Sequence, residues 1–130
     1  MYAPVMYLEE GDLKEDGTLS DAVRNFIGER GSVLLIHGDF CPHCTTVKSP
    51  YEDAAKQLQG KVPFFTVRVD GKDTEKALRP ALSKIPGYRG GVPFITALAP
   101  NGSAVATFSG PRDKANIVEF AEKYCQPQPL

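Results

Sequence analysis

Two cysteines separated by two residues, in Phe40-Cys41-Pro42-His43-Cys44, are the side chains of this sequence best placed to do chemistry. A Cys-x-x-Cys pair covers nearly one helical turn, so its sulfurs can close a small disulfide ring. Where a helix starts at such a pair, the first sulfur stands beside backbone N–H groups without intrahelical partners and at the positive end of the helix dipole. Both favour thiolate over thiol. Pro42 then falls at the first helical position, where its missing N–H costs nothing and its φ already suits the helix. Cys41 is the expected nucleophile, and Cys44 the thiol that resolves a mixed disulfide. An imidazolium at His43 would stabilise the Cys41 thiolate and with it the reduced form, which makes the disulfide the stronger oxidant. Asp39, if close, would oppose that effect. His43 could also be a solvated helix-start residue, and Cys41, Cys44 and His37 could share a zinc ion or an iron–sulfur cluster. Four ligands are ordinarily wanted for either, and the third cysteine, Cys125, is remote.

The elements that must hold this site follow from periodicity. Leu19, Ala22, Val23, Phe26 and Ile27 recur at helical spacing behind Thr18 or Ser20 as a cap, with Gly28 to follow. Val33-Leu34-Leu35-Ile36 is an unbroken apolar run, which predicts a strand buried on both faces at the centre of a sheet. Helical spacing resumes from Cys44 to Leu58, with Pro50 inside as an expected kink. Phe64 to Val69 is the next strand, ended by Asp70-Gly71. Ala77, Leu78, Leu82 and Ile85 outline a helical region interrupted at Pro80. Phe94 to Ala99 and Ala104 to Phe108 flank Pro100-Asn101-Gly102, a hairpin signal. Asp113 to Tyr124 supplies the last helix, and Tyr2 to Leu8 an additional strand at the front. The order predicts an α/β chain with early parallel and late antiparallel pairing.

Composition sets the limits. With 130 residues, 42% hydrophobic and 24% charged, the chain fits one domain, 1–130, with a core of about 20–125 and a frayed tail at 126–130. Fifteen basic against 16 acidic residues leave a net charge of −1, too little field to grip nucleic acid. Three cysteines are too few for a disulfide scaffold. Met1 to Leu8 lacks a basic start and contains Pro4, so it does not read as a signal peptide. The expectation is a cytoplasmic protein, or a periplasmic or secreted one if a signal has been removed. The uncharged stretch between Arg89 and Arg112 is interrupted by Pro93, Pro100 and Asn101 and reads as a hairpin, so no membrane association is expected.

Taken in order, these residues resemble the thioredoxin superfamily, and Cys41-Pro42-His43-Cys44 is similar to the active-site motif of DsbA-type oxidases. Tyr88-Arg89-Gly90-Gly91-Val92-Pro93 resembles the segment that ends in a cis-proline opposite the active site. Gly110 and residues 113–124 are similar to the glycine and closing helix of thioredoxins. The resemblance covers about 20–124 and implies a thioredoxin-like fold, a central mixed sheet of four to five strands flanked by helices. It implies a monomeric thiol–disulfide oxidoreductase with Cys41, Pro42, His43 and Cys44 as catalytic residues and no external cofactor or metal. Phe40, Val92 and Pro93 would form the substrate rim, with the Val92 backbone receiving an extended peptide. The implied partners are protein dithiols and disulfides, a disulfide reductase or thiol oxidase, and glutathione if the chemistry is glutaredoxin-like.

Departures from the family pattern bear on direction. The buried acid of many thioredoxins is replaced by Leu35, its lysine partner by Thr66, and an aromatic residue by His37, the nearby candidate for a proton relay to Cys44. The expected activity is therefore disulfide exchange on the oxidising side. The large helical insertion of DsbA-type oxidases is missing; the chain is lengthened only modestly, at Lys72 to Pro86. The alternatives are a glutaredoxin-like enzyme acting on glutathione mixed disulfides, or a non-catalytic module that holds a metal cluster or a partner. Cys125 is expected to be a bystander thiol, with an intermolecular disulfide or glutathionylation as its other readings.

Overall fold

The structure, a computed structural model, describes residue 1 and residues 3–125. Tyr2, in the expected front strand, and the expected frayed tail 126–130 lie outside the described residues. In chain order the elements are β1 (Met6–Tyr7), α1 (Asp21–Ile27), β2 (Ser32–His37), α2 (Pro42–Gln57), β3 (Phe64–Arg68), α3 (Asp73–Lys76), α4 (Arg79–Leu82), β4 (Phe94–Leu98), β5 (Ala104–Thr107) and α5 (Lys114–Cys125). They form a mixed five-stranded sheet ordered β1-β3-β2-β4-β5 with helices on both faces, the thioredoxin-like α/β architecture.

The apolar run at Val33 forms the middle of β2, and every residue of β2 is buried. It pairs in parallel with β3, Leu35 opposite Thr66 and His37 opposite Arg68, and antiparallel with β4, Leu35 opposite Ile95. Alternate residues point to opposite faces. Val33 and Leu35 pack with Val47, Tyr51 and Ala54 of α2 and Ile117 and Ala121 of α5, while Leu34 and Ile36 pack with Val23 and Ile27 of α1 and Leu78 and Leu82. Each such side chain, fully buried, stabilises the fold by roughly 1.5–3 kcal/mol. The Tyr51 hydroxyl donates toward the carbonyl oxygens of Val33 (3.2 Å) and Phe65 (2.7 Å), fastening α2 to the sheet.

Capping explains the ends. Ser20, not Thr18, caps α1 by accepting from the Val23 amide, and Asp113 accepts from the Asn116 amide at the start of α5. The hairpin β4–β5 turns at Gly102, which has φ +87° and whose missing Cβ would lie 2.8 Å from the Leu19 nitrogen; no other residue fits there. Helix α2 begins at Pro42 behind Cys41 as its cap, as the Cys-Pro-His-Cys spacing predicts, and its apolar face follows from Cys44 on. It runs on through Pro50, whose missing N–H leaves the Thr46 carbonyl without its helical donor. The expected front strand shrinks to Met6–Tyr7, paired in parallel with Phe65 and Thr66. The interrupted helical region is two single turns, restarted at Pro80 in the first turn of the second. No described helix is long and apolar enough to cross a membrane.

Candidate active site

Cys41 is the N-cap of α2, with extended backbone (φ −102°, ψ 119°), and Pro42 occupies the first turn. Both active-site cysteines are free thiols with different surroundings: Cys41 is half-buried and Cys44 fully buried. The backbone N–H of Cys44 does most to hold the Cys41 thiol below the usual range, working against partial desolvation. The Cys44 thiol, the His43 amide and the Arg112 guanidinium add to it. Burial pushes Cys44 up to about 11, although the Gly38 amide donates to its sulfur at 3.4 Å. One sulfur is therefore prepared to attack while the other is held as a thiol.

His43 contributes differently from the expectation. Its side chain is exposed, and the group that stabilises the Cys41 thiolate is its backbone N–H. The expectation for Asp39 is also corrected: its carboxylate lies 3.0 Å from Lys48 Nζ and 2.9 Å from Arg68 Nη1, and these partners absorb its charge. The Lys48 hydrogen bond does most to hold Asp39 below the usual carboxylate range. Arg68 continues to Glu75, a fully buried carboxylate 3.4 Å away that also accepts from the Lys72 amide.

The loop between β2 and α2 is held from a distance. The Asp70 carboxylate accepts from the backbone N–H groups of Asp39 (3.0 Å) and Phe40 (3.1 Å). Partial burial opposes ionisation of Asp70, but these amides outweigh it and keep the carboxyl below its usual range. Phe40 folds over Gly38 and remains 68% exposed. Opposite the pair, the Cys41 thiol donates toward the Val92 carbonyl at 3.6 Å, and the Val92–Pro93 peptide bond is cis. Phe40, Cys41, Val92 and Pro93 thus share one surface.

Leu35, Thr66 and His37 are neighbours. The Thr66 hydroxyl donates to the Leu35 carbonyl at 2.9 Å and lies 2.7 Å from His37 Nδ1. A hydroxyl has one hydrogen, so both bonds form together only if Nδ1 carries the imidazole proton and Thr66 accepts it. Nε2 is then a bare lone pair, buried and without a partner. Burial, helped by the positive charge of Lys48, pushes His37 down to about 4. This opposes the expected proton relay. Among the described residues no hydrogen bond joins His37 to Cys44, and burial makes the imidazole a weaker base while it makes the thiol a weaker acid, so both shifts oppose direct transfer.

Cys125 is buried at the end of α5, its thiol 3.2 Å from the Ser32 carbonyl, and burial pushes it up to about 12. Such a thiol is inert, which disfavours the intermolecular readings. Among the described residues no three His, Cys, Asp or Glu side chains converge to hold a metal ion.

Sequence reasoning missed Asp70, Arg112 and the pairing of Asp39. Asp70 was legible only as a strand terminator, since its partners lie 30 and 31 residues earlier. Nothing local marks Arg112 as a neighbour of Cys41. A groove of about 690 Å³ lined by Phe40, Val69, Arg79, Leu82, Tyr88 and Arg89 also went unread. A separate apolar cavity of about 450 Å³, between Met6, Phe26 and Phe64, sits toward the strand starts, away from the cysteines.

Comparison with known proteins places this geometry among relatives. The family model described as Thioredoxin matches residues 16–123. The thioredoxin-like protein 453L of Invertebrate iridescent virus 6 is 31% identical over 132 residues, covering 90% of this chain and 91% of the viral one. A protein disulfide-isomerase of Hordeum vulgare is 26% identical over 83% of this chain, which spans only 21% of that protein. Among solved structures, thioredoxin f from spinach chloroplast superposes with a TM-score of 0.65 at 21% identity, covering 95% of this chain and 98% of that one. Fasciola hepatica thioredoxin gives 0.60 at 22%, covering 80% and 89%. At these identities the structural likenesses establish the fold.

Proposed function

The chain belongs to the thioredoxin family of thiol–disulfide oxidoreductases, and from that premise we propose that it works on the oxidising side, passing its Cys41–Cys44 disulfide to protein dithiols. A substrate thiolate attacks Cys41 Sγ, and the Cys41–Cys44 bond breaks with Cys44 leaving. The resulting mixed disulfide is attacked at the substrate sulfur by the second substrate thiolate, and Cys41 departs as a thiolate. The substrate loses two electrons and the cysteine pair gains them. A thiol oxidase or a disulfide acceptor must then reoxidise the pair.

The observation that carries the direction is the depressed Cys41 thiol at the amides of Cys44 and His43. Stabilising the departing thiolate stabilises the reduced enzyme, and the disulfide becomes correspondingly more oxidising. The support comes from the backbone and Arg112, in place of the imidazole first considered. Around Cys44, Leu35 stands where an acid would and His37 is neutral, so among the described residues no base beside it takes its proton, and Cys44 stays a thiol in the reduced protein. Phe40, Val92 and Pro93 offer substrate an aromatic wall and a strand-like backbone edge.

Equilibration with glutathione redox buffers tests the direction. The expected potential is clearly less negative than about −270 mV, the value of thioredoxin; a value as reducing as that overturns it. Activity toward glutathione mixed disulfides that survives Cys44→Ser would replace the protein dithiol reading with the glutaredoxin-like one.

A further inference from the structure

Beside Cys41 the surface carries positive charge that forms no ion pair among the described residues. Arg79 and Arg89 line the groove that shares Phe40 with the active-site rim, and Arg112 is close enough to act on the Cys41 sulfur. Among the described residues none of the three arginines forms an ion pair. The acids nearby are already engaged: Asp39 by Lys48 and Arg68, Asp70 by two backbone amides, Asp113 by Asn116. Arg79 is also fixed, its Nε and Nη2 donating to the Val69 carbonyl (2.9 and 2.5 Å), so its guanidinium stands in the groove wall. The floor between these cations is apolar, formed by Val69, Leu82 and the Tyr88 ring.

With a net charge of only −1, the molecule as a whole does not steer a charged partner from afar, so the selection is local. Arg89 precedes Val92 by three residues. The two positions are joined by a loop that bends at Gly90 (φ +90°), so Arg89 stands to one side of the backbone edge at Val92, within a few residues of where a substrate strand would pair. We propose that this groove is a specificity subsite for an acidic segment of a protein substrate, with Arg79 and Arg89 receiving a carboxylate two or three residues from the reacting cysteine. The inference rests on the thiol–disulfide reading above and adds the substrate class. Charges at such a rim act mainly on association and are sensitive to salt.

The test uses oxidised full-length protein and reduced dithiol peptides with Glu, Gln or Lys two and three positions from a cysteine, on either side in separate peptides. At low ionic strength the second-order rate constant at which a Glu peptide reduces the protein in a single turnover should exceed that of its Gln counterpart by about three- to tenfold, the scale of one or two exposed charge pairs. The advantage should fade in high salt, and Arg89→Glu, in an exposed loop, should reverse the order of Glu and Lys peptides. Arg79→Glu should do the same, and the folding of both variants is checked by circular dichroism. Equal rates for Glu and Gln peptides overturn the subsite and leave the redox reading standing, as does a preference untouched by Arg89→Glu. Faster reduction of the protein by glutathione thiol than by every acidic peptide likewise overturns it. No turnover of any peptide overturns both readings.

Discussion

Cys41 and Val92, 51 residues apart in the sequence, meet as thiol and carbonyl across 3.6 Å. The nucleophile thus faces the same backbone edge that an extended substrate would join, while Cys44 is enclosed behind it. Alkylation should therefore be selective. In native protein near neutral pH, iodoacetamide should modify Cys41 alone, and Cys41→Ser should remove the labelling, as read by mass spectrometry. Labelling of Cys44 or Cys125 before Cys41 would contradict the assignment of roles.

Asp70 holds the 39–40 amides from the end of β3. Removing its carboxylate in Asp70→Ala should cost about 1 kcal/mol, a modest figure because the bonds are solvent-exposed, measured as the shift in urea midpoint. The alkylation rate of Cys41 should change as well, because the loop carrying Phe40 and Cys41 loses its anchor. Unchanged rate and stability would mean that the clamp is idle.

His37 links stability to acid. Its folded-state pKa, about 4, lies below the unfolded value near 6.5, so neutral His37 is favoured by folding. That contribution is complete above about pH 6.5 and is withdrawn as the pH falls toward 4. For a side chain fully buried in the sheet it amounts to about 3 kcal/mol. His37→Asn keeps a donor for the Thr66 hydroxyl and cannot titrate. Its unfolding free energy, from urea melts across this range, should fall less with acid than that of the natural sequence. Parallel curves would exclude His37 as the titrating group.

Leu35 is fully buried among apolar neighbours. Leu35→Asp buries a carboxylate among apolar side chains, with no cation beside it among the described residues, and should destabilise the fold by at least about 3 kcal/mol at neutral pH, with partial recovery as acid protonates the new group. Leu35→Met, which conserves volume, should cost less than about 1.5 kcal/mol. Similar denaturation midpoints for the two variants would show that Leu35 is not enclosed as described.

The parts legible in the sequence share one property: their cause lies within a few residues. The unbroken run at Val33 announces a central strand, Asn101-Gly102 a hairpin, and Cys41-Pro42 a helix start. What stayed hidden is paired over long separations. Asp70 reads as a turn residue until its partners 30 positions earlier are in place, and Asp39 reads as hostile to a thiolate until Lys48 and Arg68 are beside it. The relay expected of His37 meets a different obstacle. Position along the strand was legible, but the burial that makes its imidazole a weak base depends on the Thr66 and Tyr7 sides of the sheet.

The enclosure of Cys44 beneath Gly38 also sets an order of events. A dithiol with both sulfurs outward could be captured by two molecules at once or oxidised irreversibly at either atom. Here the molecule has a single port. Peroxide or a small disulfide must first meet Cys41, and whatever adduct forms there is within reach of an interior thiol that no outside reagent has touched. A sulfenic acid on the outer sulfur would condense with the Cys44 thiol, releasing water, and the injury would end as the same Cys41–Cys44 disulfide that exchange chemistry forms.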